Sequence, residues 1–216
     1  MSHPIIKQQQ VQIQTGQVQL EGNLALPDGT RGVVLFAHGS GSSRFSPRNN
    51  FVAAQLFNAG IGSLLIDLLT PREDANYETR FDIPLLTARL TAASNWLQKY
   101  PATQSLSIGY FGASTGAAAA LQAAAGLGSK IAAVVSRGGR PDLAGTTFLA
   151  KVSAPTLLIV GGDDDVVIQL NQQAYAQLQC KKELVIIPGA THLFEEPGTL
   201  EQVAQHAATW FNRYLV

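Results

Sequence analysis

This sequence contains little of what secreted, metal-binding or nucleic-acid-binding proteins require. Cys180 is its only cysteine, so no internal disulfide can form, and a reducing cytoplasm is the expected location. No group of cysteines and histidines has the spacing of metal ligands, which argues against a structural zinc. Charged residues make up only 14% of the chain and balance to a net charge of zero. Neither nucleic acid nor an anionic membrane is therefore an expected partner.

Long hydrophobic runs are also missing. Apolar runs such as Gly32–Ala37 and Thr156–Val160 are far too short to span a bilayer. Residues 1–10 contain no apolar stretch that would serve as a secretory signal. Apolar residues still make up 46% of the 216 residues, which is enough for one sizeable core. We therefore expect a single globular domain over residues 1–216.

Two hydrophobic patterns divide the chain. Before Pro27, apolar and polar residues alternate on both sides of Gly16, which predicts an antiparallel pair of strands. After Pro27 the apolar runs are solid, which indicates strands buried on both faces of a parallel sheet. The runs cover residues 32–37, 62–69, 106–111, 131–135, 156–160 and 183–187.

Helices are predicted between these runs. One begins at Ser46, a capping residue followed by proline in the first turn, and ends near Gly60. A second extends from Asp82 to about Tyr100, and a last one has apolar residues at helical spacing over 200–214. Strands that alternate with helices predict a doubly wound α/β sheet, here preceded by the antiparallel pair.

A candidate nucleophile lies in the segment Gly-Ala-Ser-Thr-Gly at 112–116, between a predicted strand and an Ala-rich helix. This G-x-S-x-G pattern is typical of a nucleophile elbow, a sharp turn that exposes the serine hydroxyl. The helix that follows presents backbone N–H groups to an oxyanion. We therefore predict Ser114 as the nucleophile and the N–H of Thr115 as an oxyanion donor. The alternative is a tightly packed turn without chemistry.

A serine nucleophile needs a general base and an acid that orients the base. His192, in the loop after the last predicted strand, is the candidate base, and a structural histidine is the alternative. Three aspartates follow the preceding strand. Asp165 stands just before a predicted helix and suits its N-cap, whereas Asp163 suits the turn that leaves the strand. Asp164 is therefore predicted to orient His192, with Asp165 as the second choice.

The loop after the strand at 32–37 reads His-Gly-Ser-Gly-Ser-Ser from His38. Its glycines allow the backbone to approach a substrate closely. The N–H of Ser40 is the predicted second oxyanion donor, with that of Gly41 next. The alternative is a flexible loop with no catalytic part.

Several arginines are predicted at this same edge of the sheet. Arg44 and Arg48 follow the oxyanion loop, and Arg137 follows the strand at 131–135. A guanidinium group suits bidentate recognition of a carboxylate or a phosphate. We predict these three arginines as substrate-binding residues, and surface ion pairs with nearby carboxylates are the alternative.

The elbow, the acid loop, the histidine loop and the His-Gly loop together resemble the α/β-hydrolase superfamily in its dienelactone-hydrolase-like branch. The acid loop matches the family pattern at Gly161, Asp164 and Val167. The resemblance implies the α/β-hydrolase fold, an eight-stranded, mostly parallel sheet with helices on its sides and an antiparallel second strand. It also implies hydrolysis of an ester or lactone through an acyl-enzyme, without a cofactor. Dienelactone hydrolase itself uses a cysteine nucleophile where this chain has Ser114, so only the fold and the acyl-transfer chemistry are carried over.

Many members of that superfamily insert a helical lid after the strand that here ends near Val135. Only about twenty residues separate it from the next strand at Thr156, which leaves room for one helix but no lid domain. We therefore expect an open pocket. The favoured function is hydrolysis of a small ester, thioester, lactone or anionic ester. A small peptidase or acyltransferase with the same triad, and a catalytically silent binding protein on the same fold, are the alternatives.

Overall fold

The computed structural model describes residues 9–215, so His3 in the N-terminal tail lies outside the described residues. Strands and helices alternate through most of this range. The strands are β1 (Gln9–Thr15), β2 (Val18–Ala25), β3 (Gly32–Ala37), β4 (Gly62–Ile66), β5 (Ser107–Ala113), β6 (Ile131–Arg137), β7 (Thr156–Gly161) and β8 (Lys182–Ile187). The helices are α1 (Pro47–Asn58), α2 (Pro71–Asp74), α3 (Ile83–Leu97), α4 (Thr115–Leu127), α5 (Thr146–Leu149), α6 (Asp165–Gln177) and α7 (Thr199–Tyr214). Short 3₁₀ turns lie at Glu78–Phe81, Gly128–Lys130 and Pro141–Ala144.

The eight strands form one sheet in the order β1-β2-β4-β3-β5-β6-β7-β8. β2 runs antiparallel to both β1 and β4, whereas the other neighbouring pairs are parallel. The predicted α/β-hydrolase sheet, mostly parallel with an antiparallel second strand, is thereby confirmed. Because the parallel strands end at one edge, the loops that follow them can bring distant residues together.

Both faces of the sheet are covered by helices. α1 and α7 pack on one face, in a cluster that includes Leu56, Val203 and Phe211. α3, α4 and α6 pack on the other face, in a cluster that includes Leu90 and Leu121. Every residue of β3 is buried between these layers. Burial from both sides explains why the strand runs are solid rather than alternating.

Two predicted elements are shorter in the structure than their apolar patterns suggest. The strand predicted at 62–69 ends at Ile66, because the N–H of Leu68 donates to Nε2 of His38 (2.9 Å) instead of pairing with a strand. The helix predicted to reach Tyr100 ends at Leu97, whose carbonyl accepts a hydrogen bond from the Thr103 hydroxyl (2.7 Å). The connection from β6 to β7 holds only one 3₁₀ turn and the four-residue α5, so there is no lid domain. None of the helices within 9–215 combines the length and apolar character needed to cross a bilayer.

Candidate active site

The segment around Ser114 is a sharp turn between β5 and α4. Ser114 has φ 50° and ψ −123°, a conformation that L-residues rarely adopt. A Cβ atom on Gly112 would lie 2.5 Å from Cα of Ala117, and one on Gly116 would lie 2.2 Å from the carbonyl oxygen of Ala37. Only glycine fits at these two positions, so the spacing of the motif is a steric requirement of the turn.

The strained turn is held by its neighbours. The Ser114 carbonyl accepts a hydrogen bond from the N–H of Arg140 (3.0 Å), and its N–H donates to the Arg137 carbonyl at 3.4 Å. Its side chain does not cap α4 and lines a cavity of about 250 Å³ that His192 also lines. No residue within 9–215 is hydrogen-bonded to the Ser114 hydroxyl. In unliganded sites of this kind, catalytic hydrogen bonds commonly tighten only when substrate binds.

His192 and Asp164 form a hydrogen-bonded pair. Nδ1 of His192 lies 2.7 Å from Oδ2 of Asp164, and the carboxylate is more buried than the ring. A carboxylate oxygen accepts hydrogen bonds, so this contact fits donation from the Nδ1 side of the His192 ring. The structure therefore places the predicted base and the preferred acid together.

The aspartate loop differs from its prediction in one respect. α6 begins at Asp165, and the N-cap position belongs to Asp164, whose side chain makes no capping bond. The expectation that Asp165 caps this helix was therefore wrong, because the helix starts one residue earlier and the Asp164 carboxylate turns to His192 instead. Asp163 lies in the turn out of β7, where its N–H donates to the carbonyl of Ala190 (2.9 Å).

The loop that carries His192 is fixed at both ends. A Cβ atom on Gly161 would lie 2.3 Å from the Ala190 carbonyl oxygen, so only glycine allows the loop to approach β7 this closely. On the other side, the hydroxyl and the N–H of Thr191 donate to the two carboxylate oxygens of Glu196 (2.6 and 3.1 Å). The hydrogen bond from the Thr191 hydroxyl is the main cause that lowers the pKa of Glu196. These contacts set the direction in which the His192 ring projects.

The two predicted oxyanion donors differ in the structure. Thr115 is the first residue of α4, so its N–H has no acceptor within the helix. The N–H of Ser40, in contrast, donates to the Thr115 hydroxyl oxygen at 3.0 Å. The N–H of Ser40, predicted as the second oxyanion donor, is thus hydrogen-bonded to the Thr115 side chain in this structure. The contact joins residues 75 positions apart, and no pattern in the sequence indicates it.

His38 links the loop after β3 to the loop after β4. Its Nε2 accepts the N–H of Leu68 (2.9 Å), so Nδ1 carries the proton and donates to the carbonyl of Gly39 (2.9 Å). Burial is the main cause that lowers the pKa of His38 below its ordinary value. His38 is therefore a neutral structural side chain that supports the loop beside Ser114.

The structure brings two of the three predicted arginines to the cavity. Arg48 and Arg137 line it together with Ser114 and His192. Arg44 does not, because Asp67 and Glu21 hold its guanidinium group elsewhere. Arg44 is accordingly removed from the candidate substrate-binding residues. Asn49, which the sequence did not indicate, also lines the cavity, and its Oδ1 accepts a hydrogen bond from Arg137 (3.3 Å).

This arrangement can support acyl transfer. The cavity has a serine hydroxyl at a strained turn, an imidazole with a carboxylate partner, and an N–H group at a helix start. In the part of the chain from 9 to 215, no three His, Cys, Asp or Glu side chains are grouped so that they could hold a metal ion.

Comparison with known proteins gives a family for nearly the whole chain. A model of the dienelactone hydrolase family matches residues 20–215. A Mycobacterium tuberculosis protein (strain H37Rv) named "Putative phosphoribosyl transferase Rv0571c" is 57% identical over 212 residues. The match covers 98% of this chain but only 48% of that relative. The chain thus spans about half the length of this relative.

Solved structures give the same fold. A dienelactone hydrolase from Anabaena variabilis is 56% identical, with a TM-score of 0.95 over 98% of this chain and 99% of that one. The protein Est1E from Butyrivibrio proteoclasticus is 17% identical, with a TM-score of 0.81 over 94% of this chain and 98% of that one. At that identity the second likeness concerns the fold alone.

Proposed function

This chain belongs to the dienelactone hydrolase family, and from that premise we propose that it is a serine hydrolase of small carboxylic esters or lactones. Family membership supports hydrolase activity. The observation that carries the finer proposal is the hydrogen bond of 2.7 Å between His192 and Asp164, beside a cavity that His192 shares with Ser114. The nucleophile, the base and the acid then have separate elements to position them, as a triad requires.

The proposed first half-reaction forms an acyl-enzyme. Nε2 of His192 takes the proton of the Ser114 hydroxyl while Oγ attacks the carbonyl carbon of the ester. Negative charge develops on the carbonyl oxygen and is stabilised by the N–H of Thr115 at the start of α4. The bond to the alcohol oxygen then breaks, and His192 returns its proton to the leaving group.

The second half-reaction releases the acid. A water molecule gives its proton to Nε2 of His192 and attacks the acyl carbon, and the bond to Oγ of Ser114 breaks. His192 then returns the proton to Ser114. Throughout, Asp164 stays ionised and stabilises the imidazolium that forms twice in each cycle.

A second oxyanion donor is proposed from the loop after β3. The Ser40 N–H can serve only if it leaves the Thr115 hydroxyl, which accepts it in this structure. The N–H of Gly41, which does not line the cavity in this structure, is the second candidate in that loop, and its φ of 68° is one that glycine adopts without strain.

The transferase named for the M. tuberculosis relative is not proposed for this chain. The chain covers 48% of that protein, and its cavity contains the groups of an acyl-transfer site. We propose that any phosphoribosyl transfer by the relative depends on the part that this chain does not match.

The test is covalent labelling with turnover measured in parallel. A fluorophosphonate probe should label Ser114 in the unmodified protein, and a panel of nitrophenyl esters and lactones should be hydrolysed. Ser114→Ala should abolish both, because loss of the nucleophile lowers kcat by about 10⁶-fold in the subtilisin example. The exposed Ser105 provides the matched control, Ser105→Ala, which should retain both. Hydrolysis of unactivated peptide amides would favour a peptidase, and absence of labelling and turnover in the unmodified protein would favour a binding protein.

A further inference from the structure

Arg137, the last residue of β6, carries a buried charge without an ionic partner in the catalytic cavity. It is only 6% exposed. Among the described residues, its guanidinium group makes one hydrogen bond, to the neutral Oδ1 of Asn49 at 3.3 Å, and its Nε has no acceptor. The guanidinium carbon also lies 5.8 Å from the centroid of the Phe194 ring, a contact that supplies no counter-charge. Within residues 9–215, no carboxylate lies within 4.0 Å of it. Burying a charge without a counter-charge is unfavourable, so this arrangement calls for an anion that the protein does not itself provide.

Other arginines of the chain show that this is unusual. Arg89 is buried to the same degree, at 7% exposed, and its guanidinium lies 2.7 Å from the carboxylate of Glu73. Less buried arginines are also paired, namely Arg44 with Asp67 and Glu21, Arg80 with Asp74, and Arg140 with Asp142. Arg137 is therefore set apart by burial and by the lack of a carboxylate partner.

A second guanidinium group stands beside the first. Arg48 lines the same cavity, and its only carboxylate partner within 9–215 is the exposed Glu195 at 2.8 Å. Burial lowers the pKa of Arg137 to about 10, with the positive charge of Arg48 as a further cause. A guanidinium group carries its positive charge at neutral pH, so two positive charges face one carboxylate.

The first turn of α1 points into this corner of the cavity. Ser46, Arg48 and Asn49 line the cavity and form the start of this 12-residue helix. The N–H of Asn49 donates to the Ser46 hydroxyl (3.3 Å), whereas that of Arg48 has no acceptor within the helix. A helix start carries a partial positive charge and donates readily to anions. The two guanidinium groups and the helix start together carry more positive charge than one carboxylate group can neutralise.

We propose that Arg137, Arg48 and the start of α1 form a phosphate-binding subsite, and that the substrate is an ester or lactone that carries a phosphate group. The proposal rests on the function proposed above, because the phosphate is a recognition group and the bond cleaved by Ser114 is the carboxylic ester. A phosphate monoester has the dianionic charge and the bidentate oxygens that two guanidinium groups bind best. The cavity of about 250 Å³ restricts the substrate to a small molecule.

Binding can be measured without chemistry. Inorganic phosphate should bind to Ser114→Ala by titration calorimetry, and acetate should bind at least tenfold more weakly. Adding Arg137→Gln should weaken phosphate binding by about tenfold or more. The matched control is Arg140→Gln, because Arg140 lies three residues away, is paired with Asp142 and does not line the cavity. With that control, the Kd for phosphate should stay within about twofold of the value for Ser114→Ala alone.

A surface variant separates ionic recognition from a structural role of Arg137. Glu195→Gln removes the only carboxylate paired with Arg48, so phosphate should bind severalfold more tightly. Arg48→Gln should weaken it, and thermal denaturation of both variants checks that the fold is kept, since the Arg48 side chain is 32% and the Glu195 side chain 63% exposed. These two variants test the subsite even if Arg137→Gln destabilises the fold.

Turnover then identifies the substrate class. A small lactone that carries a phosphate should have a KM at least tenfold below that of its dephosphorylated counterpart in the unmodified protein. Equal KM values, equal binding of acetate and phosphate, or no effect of Arg137→Gln would each overturn the subsite. The proposed hydrolase function would survive these results, since it depends on Ser114 labelling and on hydrolysis of neutral esters.

Discussion

The backbone N–H of Ser40 donates a hydrogen bond of 3.0 Å to the side-chain oxygen of Thr115. The contact joins the loop after β3 to the first residue of α4, and Thr115 is 3% exposed. Thr115, the residue after the proposed nucleophile, therefore has two distinct groups at the site. Its N–H is available to an oxyanion, and its hydroxyl holds the neighbouring loop.

Removal of this hydroxyl should move the loop without removing an oxyanion donor. Thr115→Val keeps the shape and the N–H, but it removes the acceptor of the part-buried Ser40 N–H, at a stability cost of about 1 kcal/mol. We expect kcat to fall by roughly tenfold, less than the 10²–10³ that follows loss of an oxyanion donor itself. Thr115→Ser keeps the hydroxyl and is the control. Unchanged or faster turnover in Thr115→Val, with thermal denaturation measured alongside, would show that this contact restrains a donor instead of positioning the loop.

Three aspartate variants should separate catalysis from helix stability. Asp164→Asn should lower kcat by roughly 10⁴-fold, as loss of the triad carboxylate does in the trypsin-type example, because the imidazole loses its orientation. Asp165→Asn removes only a charge at the start of α6, so melting should show a loss of about 1 kcal/mol or less, with turnover retained. Asp163→Asn should behave like Asp165→Asn. If Asp165→Asn were the variant that abolishes turnover, the structure's pairing of Asp164 with His192 would not be the catalytic one.

The strand segments and the sharp turn at Ser114 were predictable from the sequence because both rest on local requirements. Uninterrupted apolar runs indicate strands that are buried on both faces of the sheet. Gly112 and Gly116 occur where any Cβ would collide with the backbone. Asp164 could be selected among three neighbours only with the family pattern, since the N-cap argument placed the start of α6 one residue too late.

Contacts between distant segments were not predictable in the same way. The Thr115 hydroxyl, which accepts the Ser40 N–H, lies 75 residues further along the chain. Asn49, which accepts a hydrogen bond from Arg137, lies 88 residues before it. From the sequence alone, Arg44, Arg48 and Arg137 were equally good candidates for substrate binding. Only the packing shows that carboxylates hold Arg44 and that no carboxylate within 9–215 pairs with Arg137. Ion pairing depends on which loops meet, and hydrophobic patterns carry no information about that.

The short connection between β6 and β7 predicts simple kinetics on bulky substrates. This segment holds one 3₁₀ turn and the four-residue α5, so it contains no helix long enough to cover the cavity. Activity toward esters of increasing chain length should therefore change smoothly through the critical micelle concentration. A sharp increase at that concentration would show that another segment, such as residues 71–80, closes over the site, and a tryptophan-fluorescence change at the same concentration would support that result.

Acid should destabilise the fold through His38. Burial lowers the pKa of this imidazole in the folded protein, whereas in the unfolded chain it titrates near its ordinary value of 6.5. Between pH 6.5 and the lowered pKa, the unfolded chain binds more protons at His38 than the folded protein does. The free energy of unfolding therefore decreases as the pH falls through this range. The stabilisation from neutral His38 is thus complete above about pH 6.5 and is lost as the pH falls through the lowered pKa.

His38→Gln should remove this part of the pH dependence. A glutamine oxygen can accept the N–H of Leu68 that His38 accepts now, but the amide does not titrate. The variant should melt earlier at about pH 8 because it loses the bond to Gly39, and its melting temperature should fall less between about pH 8 and pH 5. His206, which is exposed on α7, provides the control, because His206→Gln should keep the acid sensitivity of the unmodified protein. An equal loss of stability in His38→Gln and the unmodified protein over this range would assign the acid sensitivity to other groups.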